Sequence, residues 1–296
     1  MTQVIFATLP IATKLVLPVV EPIGIAFIRI TGAAVAFAAV KWSRTTERVA
    51  LRDVPALFGL SLLGVAFNQV LFLEGVQRTT VVHANILITT IPVFTLAVAL
   101  TLGRERATFP KLGGIVLAGA GAVYLVLARG GASEGASATG DTLVAMNAVC
   151  YAGYLVMSKD LLRRHEPITV VTWVFLLGAM VVAPLGVPAL LRVPPEAVTM
   201  KTALVLAYIV VFPSFLTYLL MIWTLRRTAS SLVAMYVYVQ PVVTAFAAPL
   251  ILGERVTSRA GLSSVLIFAG LALATWGEQV GGRQLGAAFR PPAEGA

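Results

Sequence analysis

Asn68 and Gln69, Asn85 and Thr89, Asn147, Tyr151 and Tyr154, Tyr218, and Tyr236, Tyr238 and Gln240 are the side chains of this chain best suited to binding a small solute. All carry neutral amides or hydroxyls inside apolar stretches, where a polar group is costly and ordinarily faces a cavity or a neighbouring helix. Ser61, Gly64 and Asn68 recur at helical spacing with Gln69 beside them, and Asn85, Thr89 and Pro92 share one face at i, i+4 and i+7. Tyr236, Gln240 and Thr244 share another face, and Asn147, Tyr151 and Tyr154 form a further stripe. Such groups hold a neutral or zwitterionic molecule by hydrogen bonds. The competing use of each is a bond to the next helix, worth about 0.6 kcal/mol. Catalysis has no foothold: there are no paired carboxylates, no His/Cys metal spacing and no serine elbow, so no enzyme activity, metal or cofactor is expected.

Prolines and charges sharpen the same picture. Pro92, Pro213 and Pro241 lack an N–H, so each frees a carbonyl four residues earlier, at Ile88, Ile209 and Val237, and bends its helix. They are expected to act as hinges, a packing kink being the plainer alternative. Arg29 lies deep in an apolar stretch, either paired with a neighbouring acid or carbonyl or serving as counter-charge for a carboxylate. Glu74 and His83 could couple to protons but are read first as a solvated helix end and a helix contact. Lys14 and Lys159 are read as snorkelling to headgroups.

The elements that must position these groups follow from composition. With 58% hydrophobic and 12% charged residues in 296, and a mean hydropathy of +0.92, the chain has too little polar surface to cover a soluble globule. Windows of about 20 apolar residues, enough to cross roughly 30 Å of hydrocarbon, fall at 4–20, 22–40, 54–73, 81–102, 111–128, 141–158, 168–191, 202–223, 229–252 and 260–277. These runs are continuous rather than alternating, and a segment in lipid must satisfy its own backbone, so they are read as helices. The expectation is an all-α polytopic membrane protein of ten transmembrane helices. The first span begins almost at once, without a basic leader or small-residue cleavage site, so no removable signal peptide is expected.

Lys and Arg cluster in the loops after the second, fourth, sixth and eighth spans, for example Lys41, Arg44, Arg48 and Arg52, then Lys159, Arg163 and Arg164. The positive-inside rule therefore predicts that both termini face the cytoplasm. The net charge of +9 is read as topology signalling at the inner leaflet, with no nucleic-acid partner. The one cysteine, Cys150, falls inside the sixth span and supports no disulfide.

The chain also repeats itself. "LGRERAT" and "ILGERVT" each follow an apolar run, and a shift of 149 pairs Thr79 with Thr228, Pro92 with Pro241, Glu105 with Glu254, Arg106 with Arg255 and Gly121 with Gly270. Nearer the start of each half the shift is 145, pairing Lys14 with Lys159 and Pro22 with Pro167. Five spans are written twice; because five is odd, the second copy must enter the membrane from the opposite side. Inverted repeats are the architecture of alternating-access carriers. The glycines of "GGIVLAGAGAV" put Gly114, Ala118 and Ala122 at close-packing spacing within a helix and do not form a nucleotide loop.

"IPVFTLAVALTLGRERAT" and "QPVVTAFAAPLILGERVT", with "NQVLFLEGVQRTTVVHANI" and "TYLLMIWTLRRTASSLVAM" before them, resemble the paired EamA domains of the drug/metabolite transporter superfamily. The resemblance covers about residues 4–277, with a first span short at its N-terminus and one extra residue in "GRER". It implies five plus five inverted helices and carrier-type movement of small metabolites, usually out of the cell. The expected organisation is a first EamA repeat at 1–128, a flexible linker at 129–140, a second repeat at 141–278 and a cytoplasmic tail at 279–296. The expected function is export of a small neutral or zwitterionic metabolite, such as an amino acid or derivative, or of a drug, across the cell inner membrane. Import or exchange of such solutes, and flipping or sensing of a lipid-linked molecule, are the alternatives. Partners are a small-molecule substrate and the bilayer; proton coupling, and a monomer or homodimer, are left open.

Overall fold

The computed structural model describes residues 2–104, 108–127, 137–227, 237, 239–253 and 257–288. Among these the chain is helical, with no strand. In order, α1 is Thr2–Val16, α2 Pro22–Arg44, α3 Val54–Ser61, α4 Phe67–Arg78, α5 Val81–Ile88, α6 Ile91–Thr101 and α7 Phe109–Leu127. Then come α8 Ala138–Leu162, α9 Pro167–Leu191, α10 Met200–Ile209, α11 Thr217–Arg227, α12 Val239–Leu252 and α13 Ser258–Ala288. Five continuous stretches, Pro22–Arg44, Leu51–Arg78, Val81–Thr101, Pro167–Leu191 and Met200–Arg227, are long and apolar enough to cross a membrane. Thr2–Val16, Phe109–Leu125 and Ser258–Ala274 are shorter apolar helices. Val116, Met180, Leu185, Phe246 and Leu250 are exposed, as side chains that face hydrocarbon are.

The window expected at 81–102 is not one helix. Pro92 offers no N–H and its ring would meet the carbonyl of Ile88, so α5 stops at Ile88 and α6 starts at Ile91 with Pro92 in its first turn. Between them the Thr89 and Thr90 hydroxyls donate to the carbonyls of Ile86 and Leu87, closing the end of α5. Two further irregularities occupy similar places. A π-helical turn, Leu62–Ala66, joins α3 to α4, and another, Val210–Leu216, joins α10 to α11 around Pro213. The carbonyl that Pro213 leaves free, on Ile209, accepts from the Ser214 hydroxyl at 2.8 Å. Pro241 lies in the first turn of α12.

Two glycines terminate helices in the left-handed region. Gly103 follows α6 with φ of 65° and Gly253 follows α12 with φ of 70°, and no other described residue has positive φ. Only glycine adopts this conformation without a Cβ penalty, so both "LG" signals mark the same helix-ending turn. Glu105, Arg106, Glu254, Arg255 and Thr228 lie outside the described residues.

Packing is reciprocal. α2 runs along α9 and α7 along α13. α1 packs chiefly on α12 and α10, with smaller contacts to α4, α5 and α11, whereas α8 packs chiefly on α4, α5 and α6. Glycines permit the closest approaches: a Cβ on Gly32 of α2 would lie 2.6 Å from Val210 in the second π turn, and one on Gly178 of α9 would lie 2.6 Å from Val65 in the first. In the seam between α7 and α13, a Cβ on Gly114 would fall 2.4 Å from the Gly270 carbonyl oxygen. The small residues expected to permit close helix approach lie in this seam.

Candidate functional site

A partly open cavity of about 60 Å³ lies between the helices, room for several waters or a small solute. α1 supplies Gln3, Phe6 and Leu9, α2 supplies Arg29, and α4 supplies Asn68, Gln69 and Phe72. Ile88 and Ile91 flank the break before Pro92, Asn147 and Tyr151 come from α8, Tyr218 and Met221 from α11, Gln240 from the first turn of α12 and Val237 from just before it. The π turns explain part of this convergence, because a π turn adds a residue to the helical count and rotates every side chain beyond it. Gln69 and Tyr218 each come within the first turn after one.

Hydrogen bonds hold several lining groups in place. Asn68 and Asn147 exchange bonds, each amide nitrogen donating to the other's backbone carbonyl, at 3.4 and 2.7 Å. The Tyr218 hydroxyl lies 3.2 Å from the Gly64 carbonyl and 3.4 Å from Asn68 Oδ1. Gln240 Nε2 donates to Gln3 Oε1 at 2.6 Å, tying α12 to α1. Tyr218 meets Phe175 edge to face at 4.9 Å, and Tyr151 meets Tyr218 at 6.5 Å and stacks with Tyr154 at 5.9 Å. Against this ordered background some groups make no well-formed hydrogen bond to the protein: both amide atoms of Gln69, which has the Tyr218 hydroxyl as a neighbour, the hydroxyls of Tyr151 and Tyr154, and Nη1 of Arg29.

Of the residues singled out by sequence, Asn68, Gln69, Asn147, Tyr151, Tyr218 and Gln240 therefore line one cavity. Tyr154 lies behind Tyr151, its ring against Gly64, where a Cβ would be 2.3 Å away. Asn85 and Thr89 are buried but do not line the cavity: Asn85 Nδ2 donates to Val81 O, and the Thr89 hydroxyl closes α5. Tyr236 and Tyr238 lie outside the described residues. Sequence reasoning missed Gln3 and the apolar lining. Gln3 precedes the window expected at residue 4, and nothing in hydropathy separates Phe6, Phe72 or Met221 from their lipid-facing neighbours.

Two charged clusters flank the bundle. At one, His83 Nδ1 lies 3.0 Å from Asp141 Oδ2, and the Thr79 hydroxyl donates to the same carboxylate, joining the start of α5 to the start of α8. At the other, His165 lies in the turn between α8 and α9. Its Nδ1 is 2.9 Å from Glu47 Oε1 and its Nε2 2.9 Å from Asp53 Oδ2, while Arg164 Nη1 donates to Asp53 Oδ1 at 2.6 Å. Burial works against the protonated imidazole, but its bonds to Asp53 and Glu47 prevail and raise its pKa above the ordinary 6.5. The bond to His165, set against burial, holds Asp53 below its ordinary range; burial opposes the charge on Glu47, yet Thr169, His165 and the Glu166 amide bring it below as well.

A multi-pass bundle of membrane-length apolar helices, holding an amide- and tyrosine-lined cavity, defines an integral membrane protein with a polar site in its interior. The particular family follows from comparison: the EamA-like transporter family matches residues 1–127 and 138–276, and the chain belongs to it. An uncharacterized transporter of Archaeoglobus fulgidus is 28% identical over 253 residues, covering 85% of this chain and 87% of that protein. A protein of Streptantibioticus cattleyicolor named as a probable terminal-alkyne amino-acid exporter is 27% identical over 253 residues, covering 84% of this chain and 82% of its own length. A crystal structure at 19% identity shares the fold, with a TM-score of 0.66 over 93% of this chain and 94% of the other.

Proposed function

We propose that this transporter exports a small neutral or zwitterionic metabolite, an amino acid or derivative, or a drug, across the cell inner membrane by alternating access. The observation that carries the reading is Gln69, a buried amide on the cavity wall that makes no well-formed hydrogen bond to the protein, the Tyr218 hydroxyl being its polar neighbour. A group left so costs about 1–3 kcal/mol, a cost that a bound solute offsets. Asn68, Asn147, Tyr151, Tyr218 and Gln240 complete the contacts and Tyr154 braces Tyr151; Tyr236 and Tyr238 belong to the same stretch as Gln240. The break before Pro92 forms one hinge, Pro213 in its π turn a second, and Pro241 the third.

Two inverted five-helix repeats, residues 1–128 and 141–278, with a linker at 129–140 and the tail at 279–296 on the cytoplasmic side with the N-terminus, provide the moving parts. Support comes from the two stretches that match the family, the paired Gly103 and Gly253 turns, the paired π turns, and the reciprocal packing of α2 on α9 and α7 on α13. Export, rather than import, rests on the naming of one relative as an amino-acid exporter.

The test is efflux from cells overexpressing the protein and preloaded with labelled amino acids, nucleosides and cationic dyes. Faster loss of one class is expected, and Gln69→Leu and Gln240→Leu should each reduce it at least tenfold with the amount of folded protein in the membrane unchanged. Full efflux in both variants removes these residues from the solute path.

A further inference from the structure

Arg29 is the one charged side chain on the cavity wall among the described residues. It is only 2% exposed, and its Nε donates to the neutral Ser214 hydroxyl at 3.1 Å. Its Nη1 has no partner, and no described carboxylate lies within ion-pairing distance of it. A guanidinium keeps its proton in proteins, so a full positive charge stands at the cavity with only neutral groups around it. Burying an ion without a counter-ion is among the most costly arrangements a bundle can hold. The protein has built for it nonetheless: Gly32, one turn along α2, lets that helix press against the π turn that carries Ser214.

We propose that Arg29 reads a carboxylate on the transported solute, so that the cavity selects an organic monoanion with an apolar body over its amide, its ester or its amine. This rests on the cavity being the solute site and shifts the solute class stated above from neutral or zwitterionic to anionic. The guanidinium's planar donors match a carboxylate, and the Gln69 amide on the same wall offers a further N–H. Phe6, Leu9, Phe72, Ile88 and Met221 supply a surface for the apolar remainder. An α-ammonium group, by contrast, finds no described carboxylate on the wall; it meets only amide and hydroxyl oxygens and tyrosine faces. The amino group of an amino acid is therefore dispensable, and the acid lacking it binds at least as well.

The experiment measures binding to the purified full-length protein in lipid nanodiscs, using a matched series: 3-phenylpropionate, its primary amide, its methyl ester, phenylalanine and phenethylamine. The acid should bind at least tenfold more tightly than the amide, ester or amine, and no more weakly than phenylalanine. In Arg29→Gln the acid should lose that advantage while the affinity for the amide stays put, and Arg29→Lys should keep part of it. A purely structural arginine would weaken acid and amide together, which overturns the proposal. Should Arg29→Gln not fold, the wild-type series and Arg29→Lys decide it: equal binding of acid and amide by the wild type overturns the carboxylate reading and leaves the carrier reading standing. Failure of folded wild type to bind any of the series, with the efflux panel still transported, likewise overturns this proposal alone; failure of both removes the carrier reading too.

Discussion

At the scale of the residue, the polar groups inside the bundle divide by whether the protein satisfies them. Asn68 and Asn147 are spent on each other's backbone and Gln240 on Gln3, whereas Gln69 beside Tyr218 forms no well-aligned bond. Residue type and spacing made the amides and tyrosines visible in the sequence, because each is an exception inside an apolar run. They could not tell Asn85, which bonds back onto its own helix, from Gln69, which faces the cavity, since that depends on rotation fixed by the π turn. Arg29 was legible as an anomaly, but its partner was not, because Ser214 is 185 positions away. His165 yields a prediction of its own. An ionised carboxylate only accepts, and each ring nitrogen of His165 faces one, so the doubly protonated imidazolium fits the cluster. A raised histidine pKa means stability fully present below the unfolded value of 6.5 and lost as pH climbs through the folded value. Lowered carboxylate values mean stability present above the unfolded 3.8 of Asp53 and 4.5 of Glu47 and lost as pH falls through their folded values. The thermal midpoint in mild detergent should thus be highest between about pH 4.5 and 6.5 and decline on the alkaline side, and His165→Gln should remove that decline. An alkaline slope identical in wild type and variant would sink the idea.

Helices are the next scale, and here hydropathy reads well where the chain is regular and poorly where it is not. α2 and α9 fall at the expected windows because a long apolar run has no other way to satisfy its backbone in lipid. The glycine turns after α6 and α12 were equally plain, the repeated "LG" doing at both places what only a left-handed residue does cheaply. The break at Thr89 and Thr90 was hidden, since a proline at position 92 is compatible with a kinked helix or two separate ones, and two threonine hydroxyls tipped the balance. The π turns carry no sequence signature. Close packing of α7 on α13 gives the element-scale prediction. Gly114→Leu forces a side chain into the Gly270 backbone, where even a Cβ would lie 2.4 Å from the oxygen, and should cost about 1–3 kcal/mol. Gly119→Leu, whose Cβ would meet nothing within 4 Å, is the control on the same helix. Unfolding midpoints in detergent check both, and equal stability of the two variants would show that the seam has room to spare.

The whole molecule turns on where α1 and α8 lie. α8 is gripped at its start by His83 and Thr79 of the stretch before it, and the turn beyond its end is gripped by Glu47 and Asp53 of the same stretch. α1, at the other extreme of the chain, rests chiefly on α12 and α10 and touches α4 and α5 less. If the proposed halves rock, α8 travels with α4 to α6 and α1 with α10 and α12, so the mechanical boundary would not coincide with the proposed boundary between repeats. Cutting the chain in the expected linker and expressing the pieces separately should give little of either in the membrane, while co-expression should restore both and with them export. Stable accumulation of one piece alone, as a monomer, would contradict this. The arrangement is that of two people who have each put an arm through the other's coat sleeve: neither garment can be taken off alone. On the proposed division into two repeats, each leading helix packs largely against the other half, and a repeat expressed alone is expected to pair with a twin by exchanging that helix. Joining two such units end to end would then cost the fold nothing, because the linker has only to follow an exchange that two separate chains had already made.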